Sequence, residues 1–83
     1  MAIKILIADD HALLRQGIKR VLNFEDDLEV IGEAEDGQET LARTLMLQPD
    51  VLLLDLNMPG LSGLEVARQL KQAESPTKII ALT

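Results

Sequence analysis

The chain has 83 residues and a net charge of −6 at pH 7; its only aromatic residue is Phe24, and it contains no cysteine. This length allows one domain, and a hydrophobic content of 47% is enough for a folded core. The missing cysteines exclude a disulfide framework, a thiolate zinc site and a catalytic thiol, and suit the cytoplasm. The acidic charge and the lack of stacking aromatics argue against direct nucleic-acid contact by this segment. No apolar run approaches the roughly 20 residues of a bilayer span, so we expect no membrane association.

The first predicted elements are a strand and a helix. Residues Ile3–Ala8 are apolar except for Lys4, which indicates a largely buried strand. It ends in two carboxylates, Asp9 and Asp10. A helix beginning at Asp10 or His11 follows, with its apolar stripe at Leu14, Ile18 and Leu22 and a solvated basic face at Arg15, Lys19 and Arg20.

The second pair of elements has a more exposed strand. Residues Leu28–Ala34 alternate in polarity, which favours a strand near a sheet edge. Asp36 and Glu39 have capping-box spacing, so a helix is expected to start near Gly37 and to end before Pro49. Its predicted apolar stripe consists of Leu41, Ala42, Leu45 and Met46.

The third strand is the most strongly marked element. Val51–Leu54 is a continuous apolar run that leads into Asp55, and the chain then turns at Pro59 and Gly60. Ser62 and Glu65 form a second capping box, before a helix with its stripe at Leu64, Ala67 and Leu70 and with Val66 alongside. Residues 78–83 are a fourth predicted strand, and the resulting βαβαβαβ order predicts a parallel sheet with right-handed crossovers.

The candidate site follows from this topology, because the carboxyl ends of parallel strands meet at one edge of a sheet. If the first and third strands are neighbours, Asp9, Asp10 and Asp55 meet there, with Thr83 ending the fourth strand. Mutually repelling carboxylates favour a hard divalent cation such as Mg²⁺. A carboxylate beside that ion can attack phosphorus and form an aspartyl phosphate, and a Thr83 hydroxyl can donate to a phosphoryl oxygen.

Each of these residues also has an ordinary structural interpretation. Asp9 and Asp10 can cap the first helix, and Asp55 can be satisfied by turn amides. Thr83 can be a plain strand-end residue. His11 is interpreted as a partly exposed residue of the first helical turn rather than as a ligand or phosphate donor.

Together, the Asp9-Asp10 pair, the run from Asp55 to Gly60 and Thr83 resemble the receiver domain of two-component response regulators, the CheY-like fold. Residues 8–11 and 31–37 are most similar to the NarL/LuxR type of transcription regulator. The resemblance covers residues 1–83. It implies a flavodoxin-like three-layer α/β sandwich with a parallel sheet of order 2-1-3-4.

The resemblance also implies a role for each matching residue. Asp55 would accept a phosphoryl group from a histidine kinase. Asp10 would ligate Mg²⁺ directly, Asp9 through water, and Asn57 through its backbone carbonyl. Thr83 would be the switch hydroxyl. Such proteins are signalling modules rather than ordinary enzymes, and they often form homodimers.

One departure concerns the length of the chain. A complete receiver continues through a fourth helix, a fifth strand and a fifth helix, and that strand carries a phosphate-pairing lysine and a switch aromatic. We therefore expect residues 1–83 to be the N-terminal two thirds of a receiver, deficient in switching, with DNA bound by a separate helix-turn-helix domain. We expect open apolar surface on strands one, three and four and on the first helix, and an unprotected edge at the fourth strand. These features predict self-association or marginal folding.

Two other functions remain as alternatives. A haloacid-dehalogenase-like aspartyl-phosphate hydrolase would place its nucleophile after the first strand in a D-x-D arrangement, whereas here the sequence is Asp9-Asp10-His11. A phosphorylation-independent interaction scaffold is the second alternative.

Overall fold

The computed structural model describes residues 2–82, and within them the predicted alternation of strands and helices is confirmed. The elements in chain order are β1 (Ile3–Ala8), α1 (Ala12–Leu22), β2 (Leu28–Ala34), α2 (Gly37–Leu47), β3 (Val51–Leu54), α3 (Gly63–Gln72) and β4 (Lys78–Ala81). The strand ends therefore agree with the sequence prediction, except that the fourth strand ends at Ala81.

The four described strands form one parallel sheet in the order β2-β1-β3-β4. Ala8 is paired with Ala34 on one side and with Leu54 on the other. Leu54 is in turn paired with Ala81. This register aligns the carboxyl ends of all four strands at one edge, and it confirms both the predicted strand order and the edge position of β2.

The main core lies between the sheet and the pair α2 and α3. Alternate residues of β1 and β3 point into it and meet the buried side of α3; its buried members are Leu6, Ala8, Ala34, Leu52, Leu54, Met58, Val66 and Leu70. Ile5 and Ile7 are also buried but are not part of this cluster. They alternate with Leu6 and Ala8, so they point to the opposite face, on which α1 lies. The arrangement is the three-layer α/β sandwich that the sequence predicts.

Both predicted capping residues begin their helices. The Asp36 carboxylate accepts a hydrogen bond from the Glu39 amide at 2.8 Å, and the Ser62 hydroxyl accepts one from the Glu65 amide at 3.1 Å. In a complete capping box, the glutamate side chain accepts a hydrogen bond from the backbone amide of the capping residue. Neither glutamate makes this bond here. Glu39 accepts from the amide of Glu35 instead, and Glu65 pairs with Arg68.

The apolar stripes predicted for α2 and α3 are partly wrong. The buried residues of α2 are Gly37, Thr40 and Thr44, whereas Met46 is 73% exposed. Each threonine hydroxyl donates to the carbonyl four residues earlier, at 2.7 Å. The hydroxyls are thereby satisfied, so these small polar side chains can be buried. In α3 the buried side chains are Val66 and Leu70, and Leu64 is 70% exposed.

The opposite face of the sheet is far more open. None of the residues of α1 is buried, and Leu13, Leu14 and Val21 are exposed. All four residues of β4 are exposed as well. The predicted open apolar surface is therefore confirmed for the first helix and the fourth strand. It is wrong for β1, where Ile5 to Ala8 are buried, and for β3, where no residue is exposed, because the helices on the two faces cover these central strands. Among the helices of the described part, none is long and apolar enough to cross a membrane.

Candidate functional site

Asp9 lies at the carboxyl end of β1 and is almost completely buried. Its amide donates to the carbonyl of Ala34 at 3.0 Å, which ties the start of the β1–α1 turn to the edge strand β2. Its carboxylate accepts from the amide of His11 at 2.7 Å. This bond, from the amide two residues later to the aspartate side chain, closes an Asx turn. The residue at the N-cap of α1 is His11, without a side-chain cap, so neither Asp9 nor Asp10 caps the helix.

Asp55 occupies the equivalent place after β3. Only 5% of its surface is exposed, and its amide donates to the carbonyl of Ala8 at 2.9 Å. One of its carboxylate oxygens accepts from the amide of Asn57 at 2.9 Å. Part of the Asp55 carboxylate is therefore satisfied by the turn, as the structural interpretation expected.

The carboxyl ends of β1 and β3 bring the predicted acidic residues together. One ligand atom from each of Asp9, Asp10, His11 and Asp55 lies within 4.8 Å of the other three. Two carboxylates at such a distance repel each other by on the order of 4 kcal/mol at a surface-like effective dielectric. The attraction of each carboxylate to a divalent cation bound between them would outweigh this repulsion. The oxygen-rich donor set fits the preference of Mg²⁺.

His11 has a closer relation to this cluster than the sequence suggests. Its side chain is 69% exposed, as predicted for a first-turn residue, yet its Nδ1 lies 2.8 Å from Asp9 and 3.1 Å from Asp10. The hydrogen bond to Asp9, and then the negative charge of Asp10, raise the pKa of His11 above its ordinary value. The imidazole therefore lies against carboxylates whose charge favours its protonated form.

A cavity of about 370 Å³ opens beside the acidic cluster. Its polar end is formed by Asp9, His11 and Asp55, and its apolar wall by Leu14, Ile18 and Leu82. A small charged group can therefore reach the buried Asp55 carboxylate from the side of the sheet on which α1 lies.

The turn that follows Asp55 is fixed against the start of α2. A Cβ atom at Gly37 would lie 1.9 Å from the carbonyl oxygen of Leu61, which no side chain could tolerate. Within the same turn Gly60 has a φ of +77°, a conformation that glycine adopts without strain. These two glycines allow the β3–α3 turn to pack directly on α2, and this packing fixes the backbone that carries Asp55 and Asn57.

Arg15 is a residue whose place in the site was predicted wrongly. The sequence assigns it to a solvated helix face, but its side chain is only 14% exposed. Its Nε lies 3.1 Å from Glu33 on β2, and one of its terminal nitrogens donates to the backbone carbonyl of Asp9. The sequence contains one signal of this contact. Arg15 and Lys19 lie four residues apart on α1, and the strand that follows this helix carries Glu33.

The remaining predicted site residues are only partly described. Asn57 lies in the turn after β3 and is exposed, with its amide bonded to Asp55. Thr83 lies outside the described residues, so its predicted role as the switch hydroxyl stays a prediction. The carbonyl-ligand role of Asn57 stays a prediction as well.

Comparison with known proteins agrees with this geometry. The profile of the response regulator receiver domain matches residues 5–83. The response regulator GacA of Pseudomonas syringae is 44% identical over 98% of this chain, and the oxygen regulatory protein NreC of Staphylococcus carnosus is 48% identical over 96%. The chain spans only 38% and 37% of these two relatives.

Solved structures show the same relationship. The signal receiver domain of a response regulator NarL from Mycobacterium tuberculosis superposes with a TM-score of 0.92 at 38% identity, over 96% of this chain and 64% of that one. The response regulator domain of Thermotoga maritima CheB gives 0.92 at 33% identity, over 98% of this chain and 60% of that one. With its acidic cluster at the strand ends and a matching profile over nearly its whole length, the chain belongs to the receiver domain family of two-component response regulators.

Proposed function

We propose that this chain is the phospho-acceptor module of a two-component transcription regulator, and that Asp55 receives the phosphoryl group. The observation that supports this most directly is the position of Asp55. It is buried at the end of a central strand, yet it borders an open cavity and lies within 4.8 Å of the ligand atoms of Asp9 and Asp10. Burying a carboxylate beside two others costs free energy unless a positive charge compensates it. Such groupings are typical of functional sites.

In the proposed reaction a carboxylate oxygen of Asp55 attacks the phosphorus of a phosphohistidine on a histidine kinase. The bond from phosphorus to the imidazole nitrogen breaks, an O–P bond to Asp55 forms, and the released imidazole takes up a proton. The turn amide of Asn57 donates to one Asp55 carboxylate oxygen at 2.9 Å and so helps to orient the carboxylate for attack on phosphorus. The packing of the turn on α2 keeps this orientation fixed.

Asp10 and Asp55 are the proposed direct ligands of Mg²⁺, with Asp9 acting through water and Asn57 through its backbone carbonyl. When bound, the ion would neutralise charge on the transferring phosphoryl group. Asp10 is the exposed carboxylate of the cluster, whereas Asp9 is buried. This difference suits a direct, exchangeable ligand at Asp10 and a more distant supporting charge at Asp9.

Peptide mass spectrometry after treatment with acetyl phosphate and Mg²⁺ tests this proposal. The expected result is one phosphoryl adduct on the peptide that contains Asp55, lost in Asp55→Asn and absent when Mg²⁺ is chelated. An adduct on Asp9 instead would favour the haloacid-dehalogenase-like hydrolase. No adduct on any carboxylate, together with no binding of beryllofluoride, would favour the phosphorylation-independent scaffold.

Two relatives support a proposal about the wider role. LiaR of Bacillus subtilis, 44% identical to this chain, is a transcriptional regulatory protein. One similar structure is that of RcsB from Salmonella enterica bound to a promoter in the presence of the phosphomimetic BeF₃⁻. We propose that the regulator to which this chain corresponds works in the cytoplasm, receives its signal from a histidine kinase, and contacts DNA only through a separate helix-turn-helix domain. This account assigns no catalytic turnover to the chain.

We also propose that the 83-residue chain associates with copies of itself. The apolar residues Leu13, Leu14 and Val21 on α1 and Ile80 on β4 are exposed, and such surfaces favour association. Sedimentation velocity is expected to show a dimer or a larger species whose share rises with concentration. A monodisperse monomer with sharp cooperative melting would contradict this part of the proposal.

A further inference from the structure

Arg15 forms a bridge between the acidic site and the edge of the sheet. Its Nε donates to the Glu33 carboxylate at 3.1 Å, while a terminal nitrogen donates to the backbone carbonyl of Asp9. A second terminal nitrogen lies 3.9 Å from Glu35. The guanidinium group therefore spans three residues through its fixed fork of donors, a geometry that a lysine ammonium does not have.

Contacts with Lys19 and Arg43 fix the position of Glu33, which is the partner of Arg15 on β2. Lys19 lies 3.0 Å from its other carboxylate oxygen, and Arg43 on α2 donates to its backbone carbonyl at 2.8 Å. The hydrogen bond from Lys19, and that from Arg15, lower the pKa of Glu33 despite its partial burial. The Glu33 carboxylate is therefore charged at neutral pH and attracts the guanidinium strongly.

The atom that Arg15 holds is important because of its place in the chain. The carbonyl of Asp9 belongs to the peptide bond that leads directly into Asp10. The amide of Asp9 is bonded to β2 on one side, and the Arg15 bond fixes the other end of the same residue. These two contacts therefore constrain the direction in which the chain leaves Asp9 towards Asp10.

We propose that Arg15 is a positioning residue of the phospho-acceptor site, which holds the β1–α1 turn so that Asp10 and Asp55 converge on one cation. This inference rests on the function proposed above. Arg15 touches neither the cation nor the phosphoryl group in this account; it acts only through the backbone of Asp9. Its role differs from that of Lys19, which binds the same glutamate but has no described contact with the turn.

Because Arg15 is positively charged, an electrostatic role and a positioning role predict opposite changes in Mg²⁺ affinity when it is replaced. Removing a cation beside an acidic pocket should by electrostatics alone tighten Mg²⁺ binding. Loss of positioning should weaken it. In Arg15→Met we expect Mg²⁺ affinity to fall by about tenfold, the lower end of the range for groups that orient metal ligands. The matched variant Lys19→Met removes the same charge from the same glutamate, and its affinity should equal or slightly exceed that of the unaltered chain.

A second readout does not depend on the metal. The amide of His11, which is bonded to the Asp9 carboxylate within the turn, should exchange its hydrogen faster in metal-free Arg15→Met than in metal-free Lys19→Met. Arg15→Lys keeps the charge and the pairing with Glu33, so it should fold even if the methionine variant does not. It should recover only part of the Mg²⁺ affinity, because one ammonium group cannot bridge Glu33 and Asp9 at once.

The inference is overturned if Arg15→Met binds Mg²⁺ as tightly as Lys19→Met, or if Arg15→Lys is indistinguishable from the unaltered chain in both readouts. The proposed function fails in a different way, through the absence of a phosphoryl adduct on Asp55. In that case the exchange rate of the His11 amide still decides whether Arg15 holds the turn.

Discussion

The two faces of the sheet are built on different principles. On the side of α2 and α3, alternate strand residues such as Leu6 and Leu54 are fully buried in a continuous apolar core. On the side of α1, no helix residue is buried, and the described contacts to the sheet include ion pairs of Arg15 and Lys19 with Glu33. One face is held by packing, and the other depends to a larger extent on charge.

The site lies where the two faces meet, and it draws on both. The turn that carries Asp55 is fixed by close packing on α2, since Gly37 leaves no room for a Cβ atom. The turn that carries Asp9 and Asp10 is fixed by hydrogen bonds, including that of Arg15. We infer that Asp55, the proposed nucleophile, has the more rigid support and that Asp10, the proposed metal ligand, has the more adjustable one.

The largest loss of stability is expected when a buried side chain on the packed face, the side of α2 and α3, is shortened. Leu54→Ala removes a fully buried side chain and should lower the free energy of unfolding by about 3 kcal/mol. Leu14→Ala, on the open face, removes a side chain that is 48% exposed and should cost less than about 1 kcal/mol. Urea denaturation of the two variants measures the difference, and equal losses would contradict the distinction between the faces.

Two glycine variants sharpen the comparison. Gly37→Ala drives a methyl group into the Leu61 carbonyl and should cost about 1–3 kcal/mol as the turn is forced away from α2. Gly17→Ala lies within α1, where nothing is within 4 Å of the added carbon. It should stabilise the chain by about 0.5–1 kcal/mol, because alanine is the better helix former. A neutral Gly37→Ala in the same denaturation assay would mean that the turn is not fixed by packing.

The smallest effect is expected in acid, on the face held by charge. The pKa of Glu33 is lower in the folded chain than its ordinary value of 4.5. Its ion pairs therefore contribute stability above that value, and this contribution is lost as the pH falls below 4.5 towards the folded pKa. Glu33→Gln should be less stable than the unaltered chain at pH 7, and the gap should narrow below pH 4.5. Thermal melting across this range measures the gap, and a constant gap would contradict the assignment.

The packed face was the more predictable from sequence. The continuous run Val51–Leu54 and the caps at Asp36 and Ser62 determined the elements, and the strand order followed from the resemblance. The details of burial were less predictable. Apolar periodicity favoured Met46 and Leu64, which are exposed, whereas α2 buries two threonines whose hydroxyls are satisfied within the helix.

The open face was harder to predict because its contacts join residues far apart in the chain. The acidic cluster could be expected, since parallel strand ends share an edge of the sheet and Asp9, Asp10 and Asp55 all follow strands. The burial of Arg15 could not, because it depends on the partner that β2 presents to α1. Local sequence describes a basic helix face, and only the folded sheet shows that Glu33 lies opposite it.

A Mg²⁺ titration followed by isothermal calorimetry tests the central claim most directly. The unaltered chain should bind one ion, and Asp10→Asn and Asp55→Asn should each lose most of the affinity. Asp26→Asn is the charge-matched control, because Asp26 is exposed in the turn before β2, at the opposite end of the strands, and this variant should bind as the unaltered chain does. If Asp26→Asn weakens binding as much as the other two, the ion responds to net charge rather than to a site at the strand ends, and the account is wrong.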